Sequence, residues 1–349
     1  MSASRHRGQL RNAVVSVFVL SAAQGVAFAQ KGPPAIVRPP DDRRDYYQVS
    51  TELQTIGNSV CALILRTALQ DNGDGTFTLN VQTLADQMAE NDMMVCESET
   101  FRNQPANAEC TASLVTSNVV VSAGHCLNEA DLATWYFVFD YVMRDANTLP
   151  TTFNADQVYT GVEILGHENV ENTARDWTLV RLDRAVSGRT PLRVADSEVT
   201  LTQSILTIGF GAGLPMKFSA NATVQALQEA GFEADLDIIG GNSGGPVLDA
   251  QSFRLVGVIN ADLAVEDFFQ DGDCFRATVC PGDDICEEGF TSICGAKYEP
   301  FDARLTEVIG AASMTCGEGM CGAGTAMMAP ALLLCFALRR RVGRRRARR

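Results

Sequence analysis

The stretch Gly241-Asn242-Ser243-Gly244-Gly245-Pro246-Val247 sets a serine among glycines, which is what a nucleophilic hydroxyl requires. Small neighbours let a substrate carbonyl approach Oγ. The N–H groups of Gly241 and Ser243 can converge on the oxygen that turns negative when the carbonyl is attacked. A serine hydroxyl also needs a base to take its proton. The chain has three histidines. His6 lies in the basic N-terminal segment, and His167 lies in Gly166-His167-Glu168-Asn169, which reads as a polar loop. His125 follows the β-branched run Val119-Val120-Val121 and immediately precedes Cys126. Cys110 lies sixteen residues before Cys126, close enough to staple the loop that carries the imidazole. Closing a loop of that size contributes roughly 3 kcal/mol in the chain-entropy account. Asp176 opens the strand-like Asp176-Trp177-Thr178-Leu179-Val180-Arg181-Leu182. A carboxylate there can accept from the imidazole Nδ1–H and leave Nε2 free to take the serine proton. Asp140 and Asp183 are the alternative carboxylates.

Chain order narrows the chemistry. Gly241-Asn242-Ser243-Gly244-Gly245 also satisfies the nucleophile elbow of α/β-hydrolases, whose histidine follows the serine. No histidine follows Ser243, so that class is excluded.

The elements that must position these residues read as short strands. From Cys110 onward, apolar runs alternate with polar turns: 119–121, 135–142, 158–165, 177–182, 205–209, 223–227 and 255–259. Many short strands with regular turns predict an all-β barrel or sandwich. Residues 51–70 predict a short strand or helix that contains Cys61, and 84–94 predict a helix. Cys61 is expected to pair with Cys96. The segment 262–294 is acidic and loop-rich; its cysteines 274, 280, 286 and 294 predict two disulfides of undetermined connectivity. Phe301 to Ala312 reads as a closing helix. Asp71-Asn72-Gly73-Asp74-Gly75 reads as a turn. As a calcium loop it would place Gln70 and Val81 where carboxylates are required. No zinc-type cysteine pairing stands out, and no metal or cofactor is expected.

Together these blocks resemble the trypsin-like serine proteases. Cys110 to Leu114 with Val121 to Cys126 is similar to the histidine block and its disulfide, Asp176 to Leu182 to the aspartate block, and Gly241 to Val247 to the serine block. The likeness covers about residues 50–313 and is nearest the bacterial branch that includes glutamyl endopeptidases. It implies two antiparallel β-barrels and cleavage of peptide bonds through an acyl-enzyme, by His125, Asp176 and Ser243 with Gly241 and Ser243 as the oxyanion hole. Asp237 stands where trypsins hold the carboxylate that binds Arg or Lys, and Asp262 stands where the same pocket should be lined. Together they favour cationic substrate side chains, with a small or apolar preference as the alternative. The cysteine that braces this loop in trypsins is replaced by Ile239. The glutamyl branch uses a histidine after the serine, and its absence argues against glutamate specificity. Asn242 replaces the aspartate that pairs with a newly cut N-terminus in animal trypsins, so no activation of that kind is expected. An esterase on the same barrel and a surface-displayed binding module on an inactive protease fold are the other readings.

The 349-residue chain carries −14 overall, with three arginines at the N-terminal end and eight at the C-terminal end. The remainder is therefore −25. Such a body repels phosphates, which argues against nucleic acid as a partner. Residues 1–29 read as a secretory signal ending in Ala27-Phe28-Ala29, which places the cysteines in an oxidising compartment. Residues 30–50 read as a Pro-rich, solvated linker, 51–313 as the peptidase domain and 314–349 as a tail. In the tail, a Gly/Cys segment precedes an apolar run, 323–338, and the arginine cluster. It resembles tripartite bacterial sorting signals, which implies at least transient membrane anchoring and a secreted or cell-surface protein.

Overall fold

The computed structural model describes residues 41–170, 175–228, 230–236, 238–260 and 267–277, and the backbone of 289–292. The expected signal, tail and closing helix lie outside these residues.

The described residues open with β1 (Arg44–Asp45), α1 (Thr51–Gly57), β2 (Val60–Leu65), β3 (Leu69–Asp71), β4 (Thr76–Leu79) and α2 (Leu84–Ala89). It continues through β5 (Ala108–Leu114), β6 (Val119–Ser122), β7 (Trp135–Phe139), β8 (Thr152–Asn154), β9 (Val158–Tyr159), β10 (Gly161–Asn169) and β11 (Asp176–Leu182). The second half holds β12 (Ser204–Gly209), β13 (Lys217–Leu227), β14 (Gly231–Ala234), β15 (Pro246–Asp249) and β16 (Leu255–Ile259). Three strands complete it: β17 (Phe268–Asp271), β18 (Cys274–Ala277) and β19 (Gly289–Ser292).

Two seven-stranded antiparallel sheets carry the molecule. The first runs β10-β11-β6-β5-β2-β7-β9. The second runs β1-β13-β12-β15-β16-β19-β14, and β13 also pairs β14, which closes it on itself. The architecture is all-β, as expected, with the second sheet closed into an antiparallel barrel.

Strand periodicity explains how one sheet serves two cores. Side chains alternate across a strand. Along β2, Cys61 and Leu63 join one apolar cluster while Val60, Ala62 and Ile64 join another. Along β6, Val120 goes to the first, and Val119 and Val121 to the second. That second cluster also takes Ile208, Phe210, Leu248 and Val258, so it binds the two halves together. A third, around Val224, Phe232, Val247 and Val256, fills the closed C-terminal barrel.

Four expectations are corrected. Cys61 is a buried free thiol that burial pushes up to a very weak acid, and Cys96 is bonded to Cys274 instead. That bond also breaks the expected pairing of Cys274 within 262–294. His167 is not in a loop; it is an exposed residue of β10 opposite Thr178. The solvated linker ends before Arg43, because β1 adds to β13 and the charges of Arg43 and Asp45 are buried there. Arg43 pairs with Asp41 and Glu99 and lies 5.0 Å over the Phe101 ring. Asp45 pairs at 2.9 Å with Lys217, which also donates to Gln104 and the Pro215 carbonyl. Desolvation pushes the Lys217 ammonium down to about 8 even with Asp45 beside it. Proline content speaks of local backbone, and these partners lie far along the chain.

Candidate active site

The register of one strand pair brings His125 to Asp176. β6 and β11 are antiparallel with Ser122 opposite Thr178. Two residues on from Ser122 the chain reaches Gly124, and two residues back from Thr178 it reaches Asp176. A Cβ on Gly124 would strike the Glu168 carbonyl oxygen and come 2.8 Å from Asp176 Oδ1. Only glycine allows this crossing. Asp176 Oδ1 accepts from the His125 backbone N–H at 2.8 Å, and Oδ2 meets His125 Nδ1 at 2.5 Å. One carboxylate thus holds both the backbone and the ring of the same residue. Asp176 is 6% exposed, whereas the imidazole remains open to solvent. The flanks of Asp176 are fixed by Glu168, which takes Arg175 Nη2 at 2.8 Å and Trp177 Nε1 at 3.0 Å.

Cys126 follows directly and is bonded to Cys110. A ring nitrogen of His125 lies within 4.8 Å of both sulfurs. As a disulfide these sulfurs are not thiolates, so the cluster is a staple and not a metal centre.

The other two carboxylates are engaged elsewhere. Asp183 accepts from the Thr160 N–H and pairs with Arg184. Asp140 takes both Arg189 Nη groups, at 3.2 and 2.9 Å, and Gln157 Nε2 at 2.8 Å. Burial opposes its charge, but the hydrogen bonds and charge of Arg189, with the Gln157 hydrogen bond and the Arg144 charge, together outweigh burial and hold the carboxyl below its usual range. A carboxyl depressed by folding stabilises above its unfolded pKa, ~3.9, and that contribution is lost as pH falls through the folded value. Arg189→Met is therefore expected to cost roughly 2 kcal/mol near neutral pH. The deficit should narrow below about pH 4. Urea unfolding of both proteins across pH checks this.

Ser243 sits in the turn from β14 to β15, half-buried. Its carbonyl accepts from Thr111 N at 2.8 Å and lies 3.7 Å from Cys126 Sγ. The serine turn of one barrel is thus anchored on the strand that carries the histidine staple of the other. Gly244 has φ +82°, and a Cβ there would strike the Thr111 carbonyl and Ser122 Oγ. Gly241 has φ +99°, with the Phe210 carbonyl 2.7 Å from where a Cβ would stand.

Both candidate oxyanion donors belong to locked peptides. The Gly240 carbonyl accepts from Ala212 N at 2.6 Å, and the Asn242 carbonyl from Gly245 N at 2.7 Å. A trans peptide points its N–H opposite its C=O. The N–H groups of Gly241 and Ser243 are thereby turned away from Ala212 and Gly245. The Gly241 carbonyl accepts from Thr111 Oγ at 2.8 Å, and Thr111 Oγ itself accepts from Phe210 N–H at 3.2 Å. Asn242 is buried against Gly209 and Gly211, which have no room for a Cβ beside it.

Three contributors had no recognisable sequence signal. Thr111 is one more small residue of a strand, Glu168 looks like a surface acid, and Asp267 lies in a segment that reads only as acidic and loop-rich. Asp267 Oδ2 accepts from Gly240 N at 3.1 Å and braces the loop where Ile239 replaces a cysteine. The two expected specificity carboxylates, Asp237 and Asp262, lie outside the described residues.

Residues 110–258 match the family model of the trypsin-like peptidase domain. Over those residues the chain carries a trypsin-like peptidase domain, that of a serine-type endopeptidase. Among solved structures it is similar to a Glu endopeptidase in complex with MPD, at 14% identity and TM-score 0.48, covering 79% of this chain and all of the other. It is also similar to the VesB protease of Vibrio cholerae, at 11% identity and TM-score 0.42, covering 78% of this chain and 68% of the other. No curated protein matches the chain. Among the described residues no helix is long and apolar enough to cross a membrane.

Proposed function

We propose that the protein is a secreted endopeptidase in which Ser243 attacks the scissile carbonyl. The bond between His125 Nδ1 and Asp176 Oδ2 carries this reading, because it leaves Nε2 free to act as the base. The Ser243 Oγ–H proton passes to Nε2 as the Oγ–C bond forms. The N–H groups of Gly241 and Ser243 hold the developing oxyanion. His125 then gives its proton to the leaving amine, the C–N bond breaks, and an acyl-enzyme remains. Water, deprotonated by the same imidazole, releases the acid and restores Ser243.

Asp237 and Asp262 give this enzyme a preference for Arg or Lys on the acyl side. The N-terminal signal pattern and the basic tail make it an extracellular protein, released or held at the cell surface after transient membrane anchoring. Digestion of a peptide library by oxidised protein, with Ser243→Ala as control, tests substrate and chemistry together. Cleavage after basic residues, with no cut needed between Gln30 and Cys110, is expected. Cleavage that survives in Ser243→Ala contradicts the mechanism, and cleavage elsewhere contradicts the preference.

A further inference from the structure

A cavity of about 680 Å³ opens beside the candidate oxyanion loop. Its apolar wall is Leu84 and Met88 of α2, Met93 after it, and Phe268 and Phe275 of the β17–β18 hairpin. Gly240 and Gly241 form the edge nearest the serine, and Ala108 and Glu109 form another. Ala108 and Glu109 run directly into Cys110, which is bonded to the residue after His125. His125 is the group that protonates the leaving amine. The cavity therefore lies on the side of the scissile bond to which the leaving peptide departs.

The two walls come from distant parts of the chain and are zipped together. Cys96 is bonded to Cys274 across 178 residues of sequence. Cys96 N donates to the Phe275 carbonyl at 2.9 Å and Phe275 N to the Met94 carbonyl at 2.8 Å. Asp267 ties the base of the same segment to Gly240. The wall is thus held at a fixed distance from the residues that face the substrate carbonyl. Two carboxylates, the exposed Glu109 and the Asp267 that binds Gly240, stand at its margin.

We infer that this cavity is a substrate subsite that takes an apolar side chain from one of the first two residues after the scissile bond. The inference rests on the peptidase reading proposed above. An apolar side chain gains about 25 cal/mol per Å² buried against the methionine and phenylalanine wall. An acidic side chain would meet Glu109 and Asp267 and lose its hydration. Methionines let the wall adapt to different apolar shapes.

The test uses quenched peptides that share one acyl side and differ only at the first two positions beyond the bond, together with a methyl ester of the same acyl side. Wild type is expected to cleave peptides bearing Leu, Met or Phe at one of these positions at least about tenfold faster, in kcat/KM, than those bearing Glu. Met93→Trp, which fills the cavity, is expected to bring that ratio within each variant's own data close to one. Gln87→Trp fills it from the more exposed side of α2 and is expected to do the same, so the inference stays open to refutation if one variant misfolds. Ester and peptide hydrolysis by wild type with no leaving-side preference overturns the subsite while the peptidase reading stands. An apolar preference that both tryptophans leave intact also overturns it. Hydrolysis of neither substrate by wild type overturns the peptidase reading and the subsite with it.

Discussion

Replacing Ser243 with alanine is expected to lower kcat about a millionfold, and His125→Ala by a similar factor. The double variant should be no slower than either single one, because the two groups act in one proton transfer and removing either ends it. Asp176→Asn is the more informative change. Its expected loss is about 10⁴ in kcat. Asp176 uses one oxygen on the His125 backbone N–H and the other on Nδ1. An amide can accept at one of these positions but must present N–H groups at the other. The ring then either turns or takes the tautomer with a proton on Nε2, and that tautomer is no base toward Ser243. KM should hardly move, since none of these side chains binds the remote parts of the substrate. Steady-state kinetics of the three single variants and the double variant check the pattern. Additive losses would contradict a single triad.

The second large effect is expected at a residue that never touches the substrate. Thr111 is fully buried. Its Oγ donates to the Gly241 carbonyl and accepts from Phe210 N, while its backbone N–H holds the Ser243 carbonyl. Thr111→Val keeps the shape and deletes the hydroxyl, leaving the half-buried Gly241 carbonyl and the buried Phe210 N–H without that partner. Each orphaned group costs about 1–3 kcal/mol of stability. The peptide that follows Gly241 also loses its anchor, and a 1 Å displacement of catalytic groups costs about 100-fold in rate. Thr111→Ser restores the hydroxyl and should recover most of the rate. A valine variant that is less stable yet retains full kcat would show Thr111 to be structural only.

The contrast between Thr111 and Asp176 shows what was legible. His125, Asp176 and Ser243 each sit in short surroundings with a local reason: glycines that need positive φ or close approach, and β-branched runs that end in turns. The strands were legible for the same reason: β6 and β11 fall within or against their apolar runs, whereas residues 51–70, read as a strand or a helix, hold both α1 and β2. The Cys110–Cys126 staple is local as well. What failed is long-range. Cys96 bonds Cys274 and not Cys61, because β2 turns Cys61 into a core while the loop after α2 meets β18. Charges of the arm around Arg43 and Asp45 looked solvated until Glu99 and Lys217 supplied their partners. The side-chain role of Thr111 depends on a contact with residue 241, and no pattern around Thr111 announces it.

The most direct test of the account is labelling of oxidised protein with a fluorophosphonate, which reacts only with an activated serine. Wild type is expected to label stoichiometrically at Ser243, and Ser243→Ala and His125→Ala not at all. An unlabelled wild type, correctly disulfide-bonded and folded, would contradict the catalytic reading and turn the search toward partners of a binding module on this fold.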